Sequence, residues 1–335
     1  MRYRHRLKLR HALWLLAASV ISGAAFGYLS ADLTTGGMVR GAATGVAIAG
    51  PLILVEFFIL SHIPRAALPF AAVVLVKSLV YVVAILFGLH VGYWIFTAHA
   101  VALLPRGGLL PSLAFSIALA VAVNFLTQVT LLLGQGSLSA FLFGRFHRPR
   151  LERRVFLVLD LVGSTAIAER IGGVRFFALL NDLYADLSGP VVEHRGVIHK
   201  YLGDGVIVTW RSEAGQSEGR CVEAVLEIHR LVGDLAGRYE ARYGVRPRLR
   251  AGLHVGDVVT GELGDLRREI AFVGDALNVA SRLIDVARDR GVDIIASAEV
   301  VAALPPSIRA IAMSIGPVVL RGRAEPVELF TLAPG

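Results

Sequence analysis

The chain has 335 residues, of which 55% are hydrophobic, a mean hydropathy of +0.63 and a formal charge of +8. That apolarity excludes an ordinary soluble protein, and the length allows two domains. Residues 1–150 hold 12 Lys or Arg against two acids, Asp32 and Glu56, while 151–335 hold 22 against 24, giving net charges of +10 and −2. Nucleic acid is thereby disfavoured as a partner, because a binding domain concentrates basic charge on its own folded surface. The single cysteine, Cys221, excludes an intrachain disulfide and fits a reducing compartment.

Four apolar stretches, 12–31, 41–61, 70–96 and 110–134, each approach or exceed the roughly 20 residues a spanning helix needs. They predict an all-α membrane domain over 1–134. The arginine- and lysine-rich start (Arg2, Arg4, Arg6, Lys8, Arg10) and the cluster after the last stretch (Arg145, Arg148, Arg150, Arg153, Arg154) put both ends on the cytoplasmic side of a multi-pass cell-membrane protein. A cleaved signal peptide is the competing reading of the first stretch, and the three stretches that follow argue against it. Glu56, Lys77, His90, Asn124 and Gln128 lie inside the stretches and are expected to face the bundle interior, either joining helices or forming a ligand site. Segment 135–152, with Gly134 and Gly136 at its start and Gly144 within it, reads as a basic cytoplasmic linker.

The remainder, 153–332, alternates strand and helix signals. Val155 to Leu159 is a β-rich run, and Phe176 to Glu193 has helical spacing. Val197 to Leu202 and Val206 to Trp210 flank Gly-Asp-Gly, and Cys221 to Tyr243 predicts one long amphipathic helix. Strands are expected at 249–255, 270–273, 292–296 and 318–332, with a helix over 276–290. The order implies an α+β domain, a largely antiparallel sheet with helices packed on one face.

Three features carry chemistry. Asp160 opens Asp-Leu-Val-Gly-Ser-Thr (160–165), where Gly163 lets the chain turn closely around an anion and the amides of Leu161, Val162, Gly163, Ser164 and Thr165 face phosphate at a helix start. A plain helix start capped by Ser164 or Thr165 is the structural alternative. Asp204 sits in Lys-Tyr-Leu-Gly-Asp-Gly, itself a hairpin signal, and a carboxylate at a rigid hairpin tip makes a good divalent-metal ligand. Asn278 and Arg282 lie four apart on one helical face and reach one charged ligand. Lys200 is the one lysine among the 22 cationic side chains of 151–335, which points to a compact donor where a planar guanidinium would not fit, with a plain exposed strand lysine as the alternative.

At these residues the sequence resembles the class III nucleotidyl cyclases, the adenylyl and guanylyl cyclase catalytic domains. The resemblance covers 153–332 and implies a ferredoxin-like βαββαβ core. It implies two Mg²⁺ or Mn²⁺ ions per site on Asp160 and Asp204, with Leu161 in the same metal set, and β- and γ-phosphates on the turn after Asp160. Lys200 then faces adenine N1, Asn278 orients the ribose, and Arg282 neutralises charge developing on the α-phosphate. Arg321, in Leu-Arg-Gly-Arg-Ala-Glu-Pro, stands where the family commonly has a phosphate-binding lysine, with Arg323 as its substitute. Ala271 departs from the pattern: the family has Asp or Thr there to accept from the adenine amine, and a methyl group cannot. His199 and His254 have no assigned role. The implied activity is conversion of ATP to 3′,5′-cyclic AMP and pyrophosphate in a homodimer, whose sites take the aspartates from one chain and the lysine, asparagine and arginine from the other. A guanylate cyclase acting on GTP, disfavoured by Lys200, and a catalytically silent cyclase-like membrane receptor are the alternatives. A diguanylate cyclase would carry a Gly-Gly-Asp/Glu-Glu-Phe hairpin where this chain has Leu-Gly-Asp-Gly-Val.

Overall fold

The computed structural model describes residues 2–30, 33–58, 70–97, 109–133, 144, 146–212, 219–266 and 268–332. Gly134, Gly136 and Arg145 lie outside them, as do the side chains of Glu56 and Gln128. The chain divides into two compact units, one within 5–132 and one within 133–335.

The first unit is helical: α1 (Arg2–Ser30), α2 (Thr35–Phe58), α3 (Phe70–Thr97) and α4 (Leu109–Leu133). Ala12–Leu29 and Thr35–Val55 are long and apolar enough to cross a bilayer by length and composition, and α3 contains a shorter apolar stretch, Leu75–Gly88. Helices α1 and α2 cross through glycine. A Cβ on Gly41 would stand 2.1 Å from the Gly23 carbonyl oxygen, so any other residue there would push the backbones apart. The Ser19 hydroxyl donates to Gly45 O at 3.0 Å across the same contact. Of the polar residues in the apolar stretches, Asn124 is buried with its Oδ1 lacking a hydrogen bond, Lys77 is partly buried, and His90 is exposed.

The second unit is built on β1 (Arg150–Leu161), α5 (Ser164–Ile171), α6 (Gly173–Glu193), β2 (Val197–Leu202), β3 (Gly205–Arg211), α7 (Arg220–Asp234), α8 (Ala236–Tyr243) and β4 (Leu249–Leu263). Then follow β5 (Glu269–Val273), α9 (Asp275–Arg290), β6 (Ile294–Ser297), α10 (Ala298–Ala302), α11 (Pro306–Arg309), β7 (Ala312–Val318) and β8 (Val327–Leu332). The sheet runs β2-β3-β1-β4-β6-β8-β7, with β5 paired to β4, and only β4 and β6 run parallel. Its first four strands, with α5–α6 and α7–α8 as crossovers, form the βαββαβ core.

Strand β1 is a continuous apolar run because both of its faces are covered. Val155, Leu157, Leu159 and Leu161 pack with Leu179, Leu183 and Leu187 of α6 and Val222, Val225 and Ile228 of α7. Phe156 and Val158, on the other face, pack with Ile207, Val258 and, from α9, Ala276, Ala280 and Ile284. Each fully buried Leu contributes on the order of 2 kcal/mol of transfer free energy. The expectation of helices on one face therefore holds for the core crossovers and fails for α9, which takes the opposite face. It approaches so closely that a Cβ at Gly252 would lie 2.4 Å from the Ala280 carbonyl oxygen.

Other boundaries also differ from expectation. Strand β1 begins at Arg150, inside the segment read as linker. The helix expected over 221–243 breaks at Leu235 (φ −89°, ψ 0°) into α7 and α8. The single strand expected at 318–332 is the end of β7, a loop and β8, which pair with each other from Val318↔Val327 onward.

Candidate active site

Asp160 is the penultimate residue of β1, paired with Gly205 of β3 on one side and Arg250 of β4 on the other. Asp204 occupies the two-residue turn between Leu202 and Gly205, and Leu161 N–H donates to its backbone carbonyl at 3.2 Å. The pairing register thus brings the two carboxylates to one edge of the sheet. The Tyr184 hydroxyl of α6 fastens the turn, donating to Gly203 O at 2.8 Å and Gly205 O at 3.2 Å. Burial, then the charge of Asp204, raises the Tyr184 phenol, so it stays a donor. Burial first, and Asp204 second, also raise the Asp160 carboxyl above its ordinary 3.8, with Arg288 and Arg250 opposing.

Among the described residues no three His, Cys, Asp or Glu side chains converge as a metal cluster. Two carboxylates and nearby backbone oxygens remain, an all-oxygen set suited to a hard divalent cation. Burial of Asp160 and, second to it, the neighbouring Asp204 charge both disfavour its carboxylate, and a bound cation would offset both. The residues present therefore fit a metal site.

After Asp160 the chain turns through Gly163 (φ 70°), and α5 begins at Ser164 with no side-chain cap. The capping role considered for Ser164 and Thr165 is not taken up. Val162 N–H is used by Arg248 O at 2.9 Å, which fixes the turn against the start of β4.

Lys200 lies on exposed β2, just after a bulge in which His199 is the extra residue. The His199 ring rests on Phe272 of β5 at 4.5 Å, and Phe272 in turn meets Phe156 edge-on at 5.4 Å with the Arg154 guanidinium 4.8 Å from its centroid. These contacts bring β5 against β2, its neighbour in space though not in the sheet. Lys200 Nζ then stands 3.7 Å from Glu269 Oε2. Ala271, paired with Gly261, lies on the same strand.

Asn278 is exposed and Arg282 partly buried on α9, where the helix turns them to one side. Arg282 Nη1 is buried without a hydrogen bond and lies 3.9 Å from Asp275 Oδ1, while a Cβ on Gly322 would be 3.4 Å from Arg282 Nη2. Arg323 Nε is 3.3 Å from Asp275 Oδ2. The structure thus brings Arg323 to the Arg282 side of α9, whereas Arg321 is exposed in the same loop. His254, unassigned from sequence, is buried with Nδ1 2.8 Å from Ser297 Oγ. Among the described residues no hydrogen bond or ion pair joins Asp160 or Asp204 to Lys200, Asn278 or Arg282. Tyr184, Glu269 and Asp275 are the neighbours that sequence reasoning missed. Only Asp275 carried a local signal, as the residue after Gly274 at the start of α9.

A βαββαβ sheet with two carboxylates at one strand edge and a basic cluster across α9 defines a nucleotidyl cyclase type of domain. Residues 149–333 match the adenylate and guanylate cyclase catalytic domain, and the chain belongs to that family. It is 33% identical over 230 residues, 68% of its length, to adenylate cyclase 2 of Rhizobium meliloti (strain 1021), and 28% identical over 185 residues, 53% of its length, to an adenylate cyclase of Anabaena cylindrica. These matches span 63% and 36% of the two relatives, so the chain covers less than two thirds of either. A bacterial light-regulated adenylyl cyclase shares the fold, with TM-score 0.58 and 18% identity over 68% of this chain and 66% of that one.

Proposed function

We propose that the chain is a membrane-anchored, multi-pass adenylate cyclase with its catalytic domain in the cytoplasm, converting ATP to 3′,5′-cyclic AMP and pyrophosphate. The observation that carries this reading is the Asp160–Asp204 pair at one sheet edge of a cyclase-family domain. The adenylate cyclase names of the two relatives favour ATP, as does the donor Lys200. Helices Ala12–Leu29 and Thr35–Val55 support the anchor, and the basic clusters flanking the helical unit support the orientation.

In this reading the ribose 3′-hydroxyl gives up its proton to solvent, its oxygen attacks the α-phosphorus, the bond from that phosphorus to the bridging oxygen of the β-phosphate breaks, and pyrophosphate leaves. Asp160, Asp204 and the Leu161 backbone would hold a divalent cation pair, Mg²⁺ or Mn²⁺, which when bound would supply Lewis-acid activation of the hydroxyl and charge neutralisation of the triphosphate. With Leu161 N–H and Val162 N–H already given to Asp204 O and Arg248 O, the amides of Gly163, Ser164 and Thr165 receive the terminal phosphates at the start of α5. Asn278 orients the ribose. Arg282 stabilises negative charge that grows on the α-phosphate, and its buried, unbonded Nη1 is a donor awaiting an acceptor. Arg323, held beside it by Asp275, and Arg321 in the same loop bind the outgoing pyrophosphate.

Among the described residues no hydrogen bond or ion pair joins the two sets, in keeping with a homodimer whose sites are completed across the interface. Exposed Leu263, Leu266 and Val273, on and beside the β4–β5 hairpin, offer apolar surface for a second copy. A silent receptor has no physical use for two repelling carboxylates, and a guanylate cyclase has none for Lys200 at the base. The test is product formation by the full chain with ATP and with GTP. Asp160→Ala and Asp204→Ala are expected to abolish cyclic nucleotide formation while leaving the fold intact. Unchanged turnover in either variant would overturn the assignment.

A further inference from the structure

We propose that Glu269, rather than Ala271, accepts from the 6-amino group of adenine, so that Lys200 and Glu269 together read the base. The inference rests on the adenylate cyclase reading. Side chains two apart on a strand share a face, so Glu269 and Ala271 are neighbours along one side of β5. A methyl at Ala271 accepts nothing, whereas Glu269 offers a carboxylate 3.7 Å from Lys200 Nζ. Both side chains are about half exposed, at 46% and 50%, and so are open to a ligand from solvent. An exposed ion pair of this kind is weak, and inserting a base edge between or beside its members costs little.

The pair is held by construction. Among the described residues β2 pairs only with β3, and β5 only with β4, so no sheet register there fixes Lys200 against Glu269. The bulge at His199 instead turns its ring onto Phe272, three residues along β5 from Glu269, and Phe272 is anchored on Phe156 and beneath Arg154. An ammonium beside a carboxylate presents a donor next to an acceptor. Adenine answers with N1, an acceptor, next to its 6-amino group, a donor. Guanine presents N1–H and O6 in those two places, so each contact would meet its own kind. Leaving such groups unpaired penalises the wrong base more strongly than a missing contact does.

The experiment measures kcat/KM of the full chain, in native membrane vesicles, for ATP, GTP and a purine ribonucleoside triphosphate lacking the 6-amino group. The proteins compared are the wild type, Glu269→Ala, Glu269→Gln and the double variant Glu269→Ala with Ala271→Asp. Wild type is expected to lose roughly tenfold to a hundredfold when the amino group is absent. Glu269→Ala is expected to lose a similar factor with ATP and to be indifferent to the amino group. The double variant, with an acceptor returned to the same strand face, is expected to recover the preference. Glu269→Gln is expected to narrow the ATP-to-GTP ratio, because its amide can turn either an acceptor or a donor to the base. If wild type cyclises ATP and Glu269→Ala still discriminates against the analogue as wild type does, the inference is overturned and the enzyme reading stands. If wild type cyclises none of the three nucleotides, the enzyme reading fails and takes the inference with it.

Discussion

The Asp275 carboxylate lies 3.3 Å from Arg323 and, through its other oxygen, 3.9 Å from Arg282. One anion thus spaces two cations at the start of α9. Because the groups are a third to a half exposed, the pairs contribute under about 1 kcal/mol to stability, and their effect is on position. Asp275→Asn is expected to lower kcat about tenfold, with KM for ATP and the melting temperature little changed, and Asp275→Glu to recover most of the rate. Steady-state kinetics and a thermal melt check this; a loss confined to the melting temperature would contradict it.

Two inactive variants should complement each other. Asp160→Ala and Arg282→Ala are each expected to lack activity, and their mixture to regain up to about a quarter of the wild-type rate, since random pairing makes half the dimers mixed and each mixed dimer has one intact site. Differently tagged chains, co-purified to prove mixed dimers, provide the measurement. No recovery in proven heterodimers would mean that each site is built within one chain.

Acidification should weaken the catalytic unit. Burial holds His199 and His254 below the ordinary imidazole value of 6.5. For His199, Lys200 and Arg154 act in the same direction against Glu269; for His254, Glu299 and Asp275 oppose while Arg323 and Arg153 assist. The unfolded chain takes up protons near 6.5 that the folded chain refuses, so the stability is fully present above that pH and is lost progressively below it. Melting temperature is expected to fall between about pH 7 and pH 5, and His254→Gln to flatten that fall. An equally steep fall in the variant would assign the sensitivity elsewhere.

Helix α9 can dock only where the sheet lacks side chains. Gly252→Ala places a Cβ 2.4 Å from a backbone oxygen of Ala280 and 2.9 Å from the Leu283 side chain, and backbone cannot swing aside as a side-chain tip can. A destabilisation of about 1–3 kcal/mol is expected, read by denaturant unfolding of the full chain, with activity reduced because Asn278 and Arg282 move with the helix. Gly233→Ala, where a Cβ meets nothing, is the control.

The placement of much of the candidate site was legible in the sequence. Asp160 stands near a strand end before a glycine-bearing turn, Asp204 lies in a glycine-flanked hairpin turn, and Asn278 and Arg282 share a helix face, so local spacing brings them out and the family resemblance gives them roles. Glu269 and Tyr184 were invisible for the opposite reason. Each gains its meaning from a partner distant in sequence, Lys200 for one and the Gly203–Gly205 turn for the other. The core strands were legible because their alternation or continuous apolarity reflects which faces are covered. The side on which α9 packs was not, since an apolar stripe says that a helix is buried without saying against which face. The division of 318–332 was hidden because its alternating pattern runs on into the loop at Val319 and Leu320.

The approach to β1 has a mechanical consequence. The Phe146 carbonyl accepts from Glu262 N–H at 3.1 Å, and Pro149 lies against Gly261, so the chain arriving at the catalytic unit is stitched to the far end of β4 before it enters the sheet. Glu262 is paired directly with Ile270 of β5, one residue from Glu269. Residues 146–149 therefore bear directly on the hairpin that carries Glu269 and Phe272. The segment is thus fastened to the hairpin that carries Glu269 before the chain reaches the strand position of Asp160.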